Sequence, residues 1–381
     1  MGTDIYDQSG YSVSLSADGP VLATGERTAD GAGHVRVHAW NGTHWRPRGG
    51  DLNGEDSPSY PSNYSLALSA NGAVLAIGAT ESDGSGANSA GHVRVHEWNG
   101  THWQPRGDDI DGESAGDASG YAVAMSADGL VLAIGAPEND NRAGHMRVHE
   151  WNGTHWRPRG GDLDGYDPDD RLGHSVAMSA DGSVLAIGVP ESGGGNVRVY
   201  VWNDPQSVYA LLSSMSSSFP SDAGDRNGWS VAMSADGSVL AIGSRHQDSY
   251  RGYVRIFYGR PADNIDSWQQ RGDALSGEAE GDQSGHSVAL SADGLVVAIG
   301  APFNGNSGHV RVFAWNGTHW NQVGLNLEGE AEGDQSGYSV ALGADGAVLA
   351  IGANSGPVRV LAAVMHESPP SLPPSPSSPP S

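Results

Sequence analysis

The chain has no cysteine and no lysine; all 20 of its basic residues are arginine. Without cysteine, disulfides, zinc–thiolate centres and thiol chemistry are excluded, and cysteine usage says nothing about the redox compartment. No apolar run approaches the length of a membrane-spanning helix, so none is expected. Positive charge is scarce too: 45 Asp and Glu outweigh the Arg, for a formal net charge of −25. A polyanion is repelled by such a surface on average, which speaks against a nucleic-acid partner. The opening "MGTDIYDQSG" has neither the basic stretch nor the apolar core of a signal peptide, although a mature secreted chain would read the same way.

What the chain has in excess is glycine, 56 of 381 residues, a turn density that fits an all-β protein rather than a helical one. It also repeats itself. Ala-Asp-Gly, once Ala-Asn-Gly, begins at Ala17, Ala70, Ala127, Ala180, Ala235, Ala292 and Ala344, which makes seven units of 52 to 57 residues. Each unit reads as four strands. "YSVALSA" alternates up to Asp-Gly, "VLAIGA" is a continuous apolar run suited to burial on both faces, "HVRVHEW" alternates up to Asn-Gly, and "THWQPRG" returns. Asp-Gly and Asn-Gly predict two-residue hairpin turns. Seven such meanders, with no helices to cover them, bury their faces by packing radially. The expected fold is all-β: a seven-bladed β-propeller of four-stranded antiparallel blades over residues 1–365, followed by a Ser/Pro-rich tail over 366–381.

"SGYSVALGADGAVLAIGA" in the last unit and "SGYAVAMSADGLVLAIGAP" in the third resemble the FG-GAP repeats of integrin-α-like propellers, a likeness that covers about residues 1 to 365. Gly135-Ala136-Pro137 and Gly300-Ala301-Pro302 match that pattern, while Gly25-Glu26 and Gly243-Ser244 depart from it. The resemblance implies a propeller. The calcium site that the family often carries between these strands has no counterpart here, because the loop is shortened to Ala-Asp-Gly. No cofactor is therefore expected. The acid clusters Glu278, Glu280, Asp282 and Glu328, Glu330, Glu332, Asp334 are the candidates for Ca²⁺, with a solvated acidic loop as the alternative.

The line "GHVRVHEWNGTHWQPRGDD" invites several readings. Metal binding by its two strand histidines fails on distance, since strand residues four apart lie about 13 Å from each other. Pairing Trp40 with Thr43 and His38 with Trp45 around the turn puts His34, Arg36, His38, Trp40 and Trp45 on one face and Val35 and Val37 on the other. The third-strand arginine recurs in every unit, at Arg36, Arg94, Arg147, Arg198, Arg255, Arg311 and Arg359, and so reads as structural. Its expected partners are acids ahead of the first strand: Asp7, Asp117, Asp170, Asp225, Asp282 and Asp334. Arg106-Gly107-Asp108 and Arg271-Gly272-Asp273 spell an adhesion triplet, but other units write Arg-Gly-Gly there, which makes it framework. Gly-x-Ser lacks the second glycine of a nucleophile elbow.

Two features exceed a propeller's mechanical needs. N-glycosylation sequons stand at Asn41, Asn63, Asn99, Asn152 and Asn316, four of them at Asn-Gly tips where Asn-Gly is also simply a good turn. The tail carries Pro369, Pro370, Pro373, Pro374, Pro376, Pro379 and Pro380, favours polyproline II, and resembles the hydroxyproline-rich glycoproteins of plants and green algae, in which such prolines are hydroxylated and glycosylated. The expectation is a non-enzymatic, extracellular structural glycoprotein of a matrix, cell wall or surface filament, self-associating through propeller and tail contacts. A carbohydrate- or protein-binding propeller is the alternative. An enzyme would show a non-repeated polar cluster, and the irregular fourth unit holds no obvious acid–base pair. Unit seven lacks a fourth-strand candidate; either residues Thr3 to Tyr6 or a neighbouring copy is expected to complete it.

Overall fold

Continuous apolar runs such as Val131–Ala136 and Val184–Val189 are buried at every residue, as expected of strands covered on both faces. In the computed structural model, which describes residues 8–27, 33–53, 64–80, 90–215, 224–259 and 268–362, these runs form the second strands of seven antiparallel sheets. The first blade is typical. Gln8–Leu15, Val21–Arg27 and His34–Trp40 form a meander, and the fourth strand is split into Trp45–Pro47 and Leu52–Asn53, both paired with the third. Blade four instead has an unbroken fourth strand, Val208–Ser214. Blade seven has three strands among the described residues, Ser336–Leu342, Val348–Ala353 and Arg359–Ala362. Residues 1–7, and with them the expected closing segment, lie outside the described residues, as do Asn63 and the proline tail. No described helix is long and apolar enough to cross a membrane.

Apolar clusters sit between blades rather than within them. Val131, Ala133, Met146 and Val148 of blade three pack on Leu185 and Ile187 of blade four, for example. Two further devices hold the ring. At one end each Ala of Ala-Asp-Gly donates its N–H to the matching Ala carbonyl of the next blade, from Ala17 to Ala70 (2.9 Å), onward through each blade, and finally from Ala344 back to Ala17 (2.7 Å). The seven bonds form a closed circle. At the outer edge, the arginine that ends the first fourth-strand segment in blades one, two, three and five lies over the aromatic pair of the next blade. Arg48 stands 5.0 Å from the Trp98 ring, Arg106 5.0 Å from Trp151, Arg159 4.4 Å from Trp202 and Arg271 5.6 Å from Trp315. The carbonyls of Arg48, Arg106 and Arg271 also accept the indole N–H of Trp103, Trp156 and Trp320 at 2.8 to 2.9 Å.

The turns correct the sequence expectation. Type I′ hairpins need both central residues left-handed, but only Gly19 (φ 79°) and Gly42 (φ 96°) are. Ser16 N–H bonds Val21 O at 2.9 Å around a four-residue loop, and the Ser16 hydroxyl accepts Val21 N–H at 3.0 Å. Likewise Trp40 faces Trp45, and His38 faces Pro47, because the Asn41 carboxamide folds the loop by accepting the amides of Thr43 and His44, each at 3.0 Å. The register moves by two residues, so the face assignment stands: Val35 and Val37 are buried, and Trp40 and Trp45 are in contact at 5.6 Å.

The glycine that ends the second strand has a steric cause. A Cβ on Gly188 would lie 2.1 Å from the Gly228 carbonyl oxygen of the next blade, and the same holds to within 0.2 Å at Gly78, Gly135, Gly243, Gly300 and Gly352. Gly188→Ala must therefore push two blades apart, at a cost of about 1–3 kcal/mol or more. Gly161→Ala, with nothing within 4 Å of its would-be Cβ, should change stability by less than about 0.5 kcal/mol. Urea unfolding of the two variants side by side checks the difference.

Candidate functional site at the axial mouth

The meander gives the ring two unlike ends. Ser-Ala-Asp-Gly and Asn-Gly turns occupy one; the loops that join second to third strands, and each blade to the next, occupy the other. The second end is irregular in backbone as well as in sequence. Among the described non-glycine residues with left-handed φ, all but Ser207 lie in its loops, including Asp140 (45°), Asn141 (55°), Arg226 (57°) and Tyr250 (65°). Left-handed side-chain-bearing residues are strained, and such strain gathers at functional sites.

The axis at this end is filled by aromatic rings. In six blades the residue after the glycine that opens the first strand is Tyr11, Tyr121, His174, Trp229, His286 or Tyr338. They converge as a chain of contacts: Tyr11–Tyr338 at 5.1 Å, Tyr338–His286 at 4.6 Å, His286–Trp229 at 6.2 Å, Trp229–His174 at 4.2 Å and His174–Tyr121 at 5.0 Å. Ring centroids in this range are favourable contacts. Burial, reinforced by the Arg245 charge, pushes His174 and His286 down to about 3. Both are therefore neutral at ordinary pH, and the Tyr121 hydroxyl lies 3.2 Å from His174 Nε2.

One residue against this floor is a cation. Where blades three and six write Gly-Ala-Pro, blade five writes Gly243-Ser244-Arg245, and blade one departs likewise with Gly25-Glu26-Arg27. The Arg245 guanidinium carbon stands 3.3 Å from the Trp229 ring centre, and Nη1 lies 3.3 Å from His286 Nδ1. Burial, with the Arg226 charge nearby, lowers Arg245 to about 10. Neighbouring cations have partners: Arg226 meets Glu191 and Arg171 meets Glu138, both at 2.9 Å. Arg245 has no carboxylate within ion-pair reach among the described residues, and its Nε is buried without a hydrogen bond. The same rings extend outward: His246 lies 6.2 Å from Trp229 and 4.5 Å from Tyr250, and Phe303 6.4 Å from His286, with Tyr250 49% and Phe303 40% exposed. The arrangement offers a largely desolvated cation among aromatic rings.

The residues singled out in the sequence lie elsewhere. The third-strand arginines stand at the blade seams and cross them. Arg147 Nη2 donates to Asp111 O of the preceding blade (2.6 Å), Arg311 to Ser276 O (2.7 Å) and Arg359 to Leu327 O (3.3 Å). Arg198 reaches Asp164 O at 3.1 Å and also meets Asp170 at 3.3 Å, as expected. Asp117, Asp282 and Asp334 instead accept amides of their own loops, such as Ala279 N–H at 2.7 Å and Ala331 N–H at 2.8 Å; a short loop satisfies a carboxylate sooner than a guanidinium across the blade. Arg36 bonds Glu26 (2.8 Å) and Asp51 (3.2 Å), Arg94 bonds Asp109 (3.0 Å), and Arg255 lies over Tyr253 at 4.5 Å. The acid clusters do not converge: no described group of three or more His, Asp or Glu could hold a metal ion. Asn41, Asn99, Asn152 and Asn316 are exposed at the opposite end from the aromatic floor. Arg106 and Arg271 of the two adhesion triplets are packed over tryptophans.

No family model matches the chain, and no curated protein does. Solved structures do match. A Kuenenia stuttgartiensis hydrazine synthase structure aligns with a TM-score of 0.61 at 13% identity over 93% of this chain and 96% of the other. A mitotic checkpoint complex structure gives 0.60 at 15% identity over 94% and 87%. The Myceliophteria thermophila Cps50 (Swd1) β-propeller domain gives 0.60 at 14% over 93% and 96%. At such identities the likeness shows the propeller fold and nothing finer.

His174 and His286 yield a sign-definite expectation. They stay neutral in the fold down to about 3 but take a proton near 6.5 when unfolded. Between those values the unfolded chain binds more protons, so their contribution to stability is lost as pH falls from about 6.5 towards 3. The melting temperature should drop between pH about 7 and about 4.5, and His174→Gln/His286→Gln should show a smaller drop over the same interval, measured by differential scanning fluorimetry.

Proposed function

We propose that the chain is a non-enzymatic binding propeller whose recognition surface is the axial mouth. The observation that supports this most is Arg245, a half-buried cation against the aromatic floor with no carboxylate within ion-pair reach among the described residues. Sugar rings present apolar C–H faces to aromatic side chains, and a carboxylate or sulfate gives a guanidinium its charge-assisted partner. The net charge of −25 repels a polyanion, so the favoured ligand is a largely neutral saccharide with a single acidic residue. A glycan array spanning neutral, uronate-bearing and sulfated saccharides tests this. Binding should be selective for singly acidic members, weaken with salt, and fall about tenfold or more in Arg245→Gln. Absence of acidic-glycan binding, or binding indifferent to Arg245→Gln, would sink the assignment.

A second reading, the extracellular structural glycoprotein, draws support from Asn41, Asn99, Asn152 and Asn316, which are exposed on the face opposite the mouth, where glycans would leave the binding surface clear. The FG-GAP-like wording and the hydroxyproline-type tail belong to this reading, as does association between copies through propeller and tail contacts. Each Asn is also explained as the residue that folds its own loop, through contacts such as Thr101 N–H to Asn99 Oδ1 at 3.0 Å. Glycopeptide mapping of natively produced protein separates the two explanations. Occupancy at Asn99 and Asn152, with hydroxylated Pro369 to Pro380, is the expected result; unmodified peptides would leave only the turn role.

A further inference from the structure

We propose that His246 and Tyr250 form a second subsite beside Arg245, an aromatic platform for a neutral sugar joined to the acidic one, so that the axial mouth reads a two-sugar unit. The inference rests on the reading of Arg245 as the seat of the acidic group. The rings are contiguous with that seat. Arg245 lies over Trp229, 3.3 Å from its ring centre. His246 stands 6.2 Å from Trp229 with the two planes only 16° apart, and Tyr250 meets His246 at 4.5 Å. Burial and the Arg226 and Arg245 charges hold His246 down to about 4, so the platform is uncharged at ordinary pH. Tyr250 ends the series 49% exposed, with ring surface that the C–H face of a sugar can cover.

Blade three shows which features of this loop belong to the scaffold. Asp140, Asn141 and Arg142 take left-handed φ of 45°, 55° and 69°, and Asp248, Ser249 and Tyr250 repeat them at 51°, 56° and 65°. The cause is common to both. The turn aims successive carbonyls at the loop that enters the next blade: Arg142 O accepts Arg171 N–H at 2.8 Å and Ala143 O accepts Leu172 N–H at 3.0 Å, as Tyr250 O accepts Gln283 N–H at 2.7 Å and Arg251 O accepts Ser284 N–H at 3.0 Å. The seam thus dictates the backbone and leaves the side chains to be chosen.

The choices differ as a set. Blade three writes Pro137-Glu138 and closes the turn with Arg142; blade five writes Arg245-His246 and closes it with Tyr250. In blade three Arg142 is held by Glu138 at 3.4 Å and by Asp169 at 3.1 Å. An aromatic pair replaces that ion pair in the blade that carries the Arg245 cation. For the seam alone tyrosine is an unfavourable choice, because a bulky residue at φ 65° is a backbone outlier that asparagine or glycine would relieve. An outlier of this kind is kept where its side chain has a task. Here the task is contact with the sugar next to the one whose acidic group pairs with Arg245.

The test is isothermal titration calorimetry of the full chain with matched probes: glucuronic acid, galacturonic acid and galactose 6-sulfate, each as the monosaccharide and linked to a neutral hexose. For the preferred acid, the disaccharide should bind tighter than the monosaccharide by about three- to tenfold. Tyr250→Asn should remove that margin, His246→Gln should reduce it, Tyr250→Phe should keep it, and Arg245→Gln should weaken both members of the pair. Asparagine suits the left-handed turn, so the melting temperature of Tyr250→Asn checks that the fold is intact. Equal affinity for monosaccharide and disaccharide, or a margin that survives both Tyr250→Asn and His246→Gln, would overturn the platform and leave the acidic seat standing. Failure of the parent chain to bind any probe, or binding indifferent to Arg245→Gln, would overturn the acidic seat and the platform with it.

Discussion

Closure governs this molecule. A blade has two apolar faces and no helix to cover them, so no blade is satisfied until the ring is complete and every face meets a neighbour. The circle of Ala-to-Ala hydrogen bonds is the most direct expression of that constraint: each bond joins different blades, and the last joins blade seven to blade one. Its geometry recurs only if every blade presents the same turn at the same height. That requirement accounts for the repeated Ser-Ala-Asp-Gly wording, in which serine and aspartate hold the turn and glycine takes the left-handed position.

The same constraint divides the molecule into a fixed end and a free end. Turns that join the hydrogen-bonded circle cannot vary, whereas the loops at the aromatic mouth, though blades are bridged there too, as by Ser119 N–H on Ala90 O at 2.9 Å, differ from blade to blade and tolerate strain and unpaired charge. Arg245 illustrates the consequence. A guanidinium in place of the proline of Gly-Ala-Pro loses hydration and leaves Nε without a partner, yet the neighbouring packing holds it over Trp229. With no carboxylate partner among the described residues, this cation carries a desolvation cost that the mechanical stability of the ring does not require.

At the periphery the blades are tied by arginine on tryptophan. Lysine would be a poorer choice, because the planar, weakly hydrated guanidinium spreads over an indole face where an ammonium presents only a point charge. Total reliance on arginine for positive charge fits a fold that uses cations flat, against rings and carbonyls, at seam after seam.

Much was legible in one dimension. Seven Ala-Asp-Gly repeats, alternating and continuous apolar runs, and recurring Arg at the third strand determined the number of blades, their strand order and the buried faces of Val35 and Val37, because periodicity maps directly onto local structure. Turn length was not legible: Asn-Gly reads as a two-residue hairpin until the Asn41 side chain is seen taking two amides. Nor was the partner of each arginine, since carbonyl acceptors such as Asp111 O carry no residue signature and lie on another blade. The aromatic after each glycine was visible as a repeated word, but residues some 50 positions apart meet only once the ring closes. The tertiary structure alone decided that Tyr, His and Trp converge on an axis and that Arg245 stands among them with no carboxylate in ion-pair reach among the described residues, because each depends on which blades become neighbours.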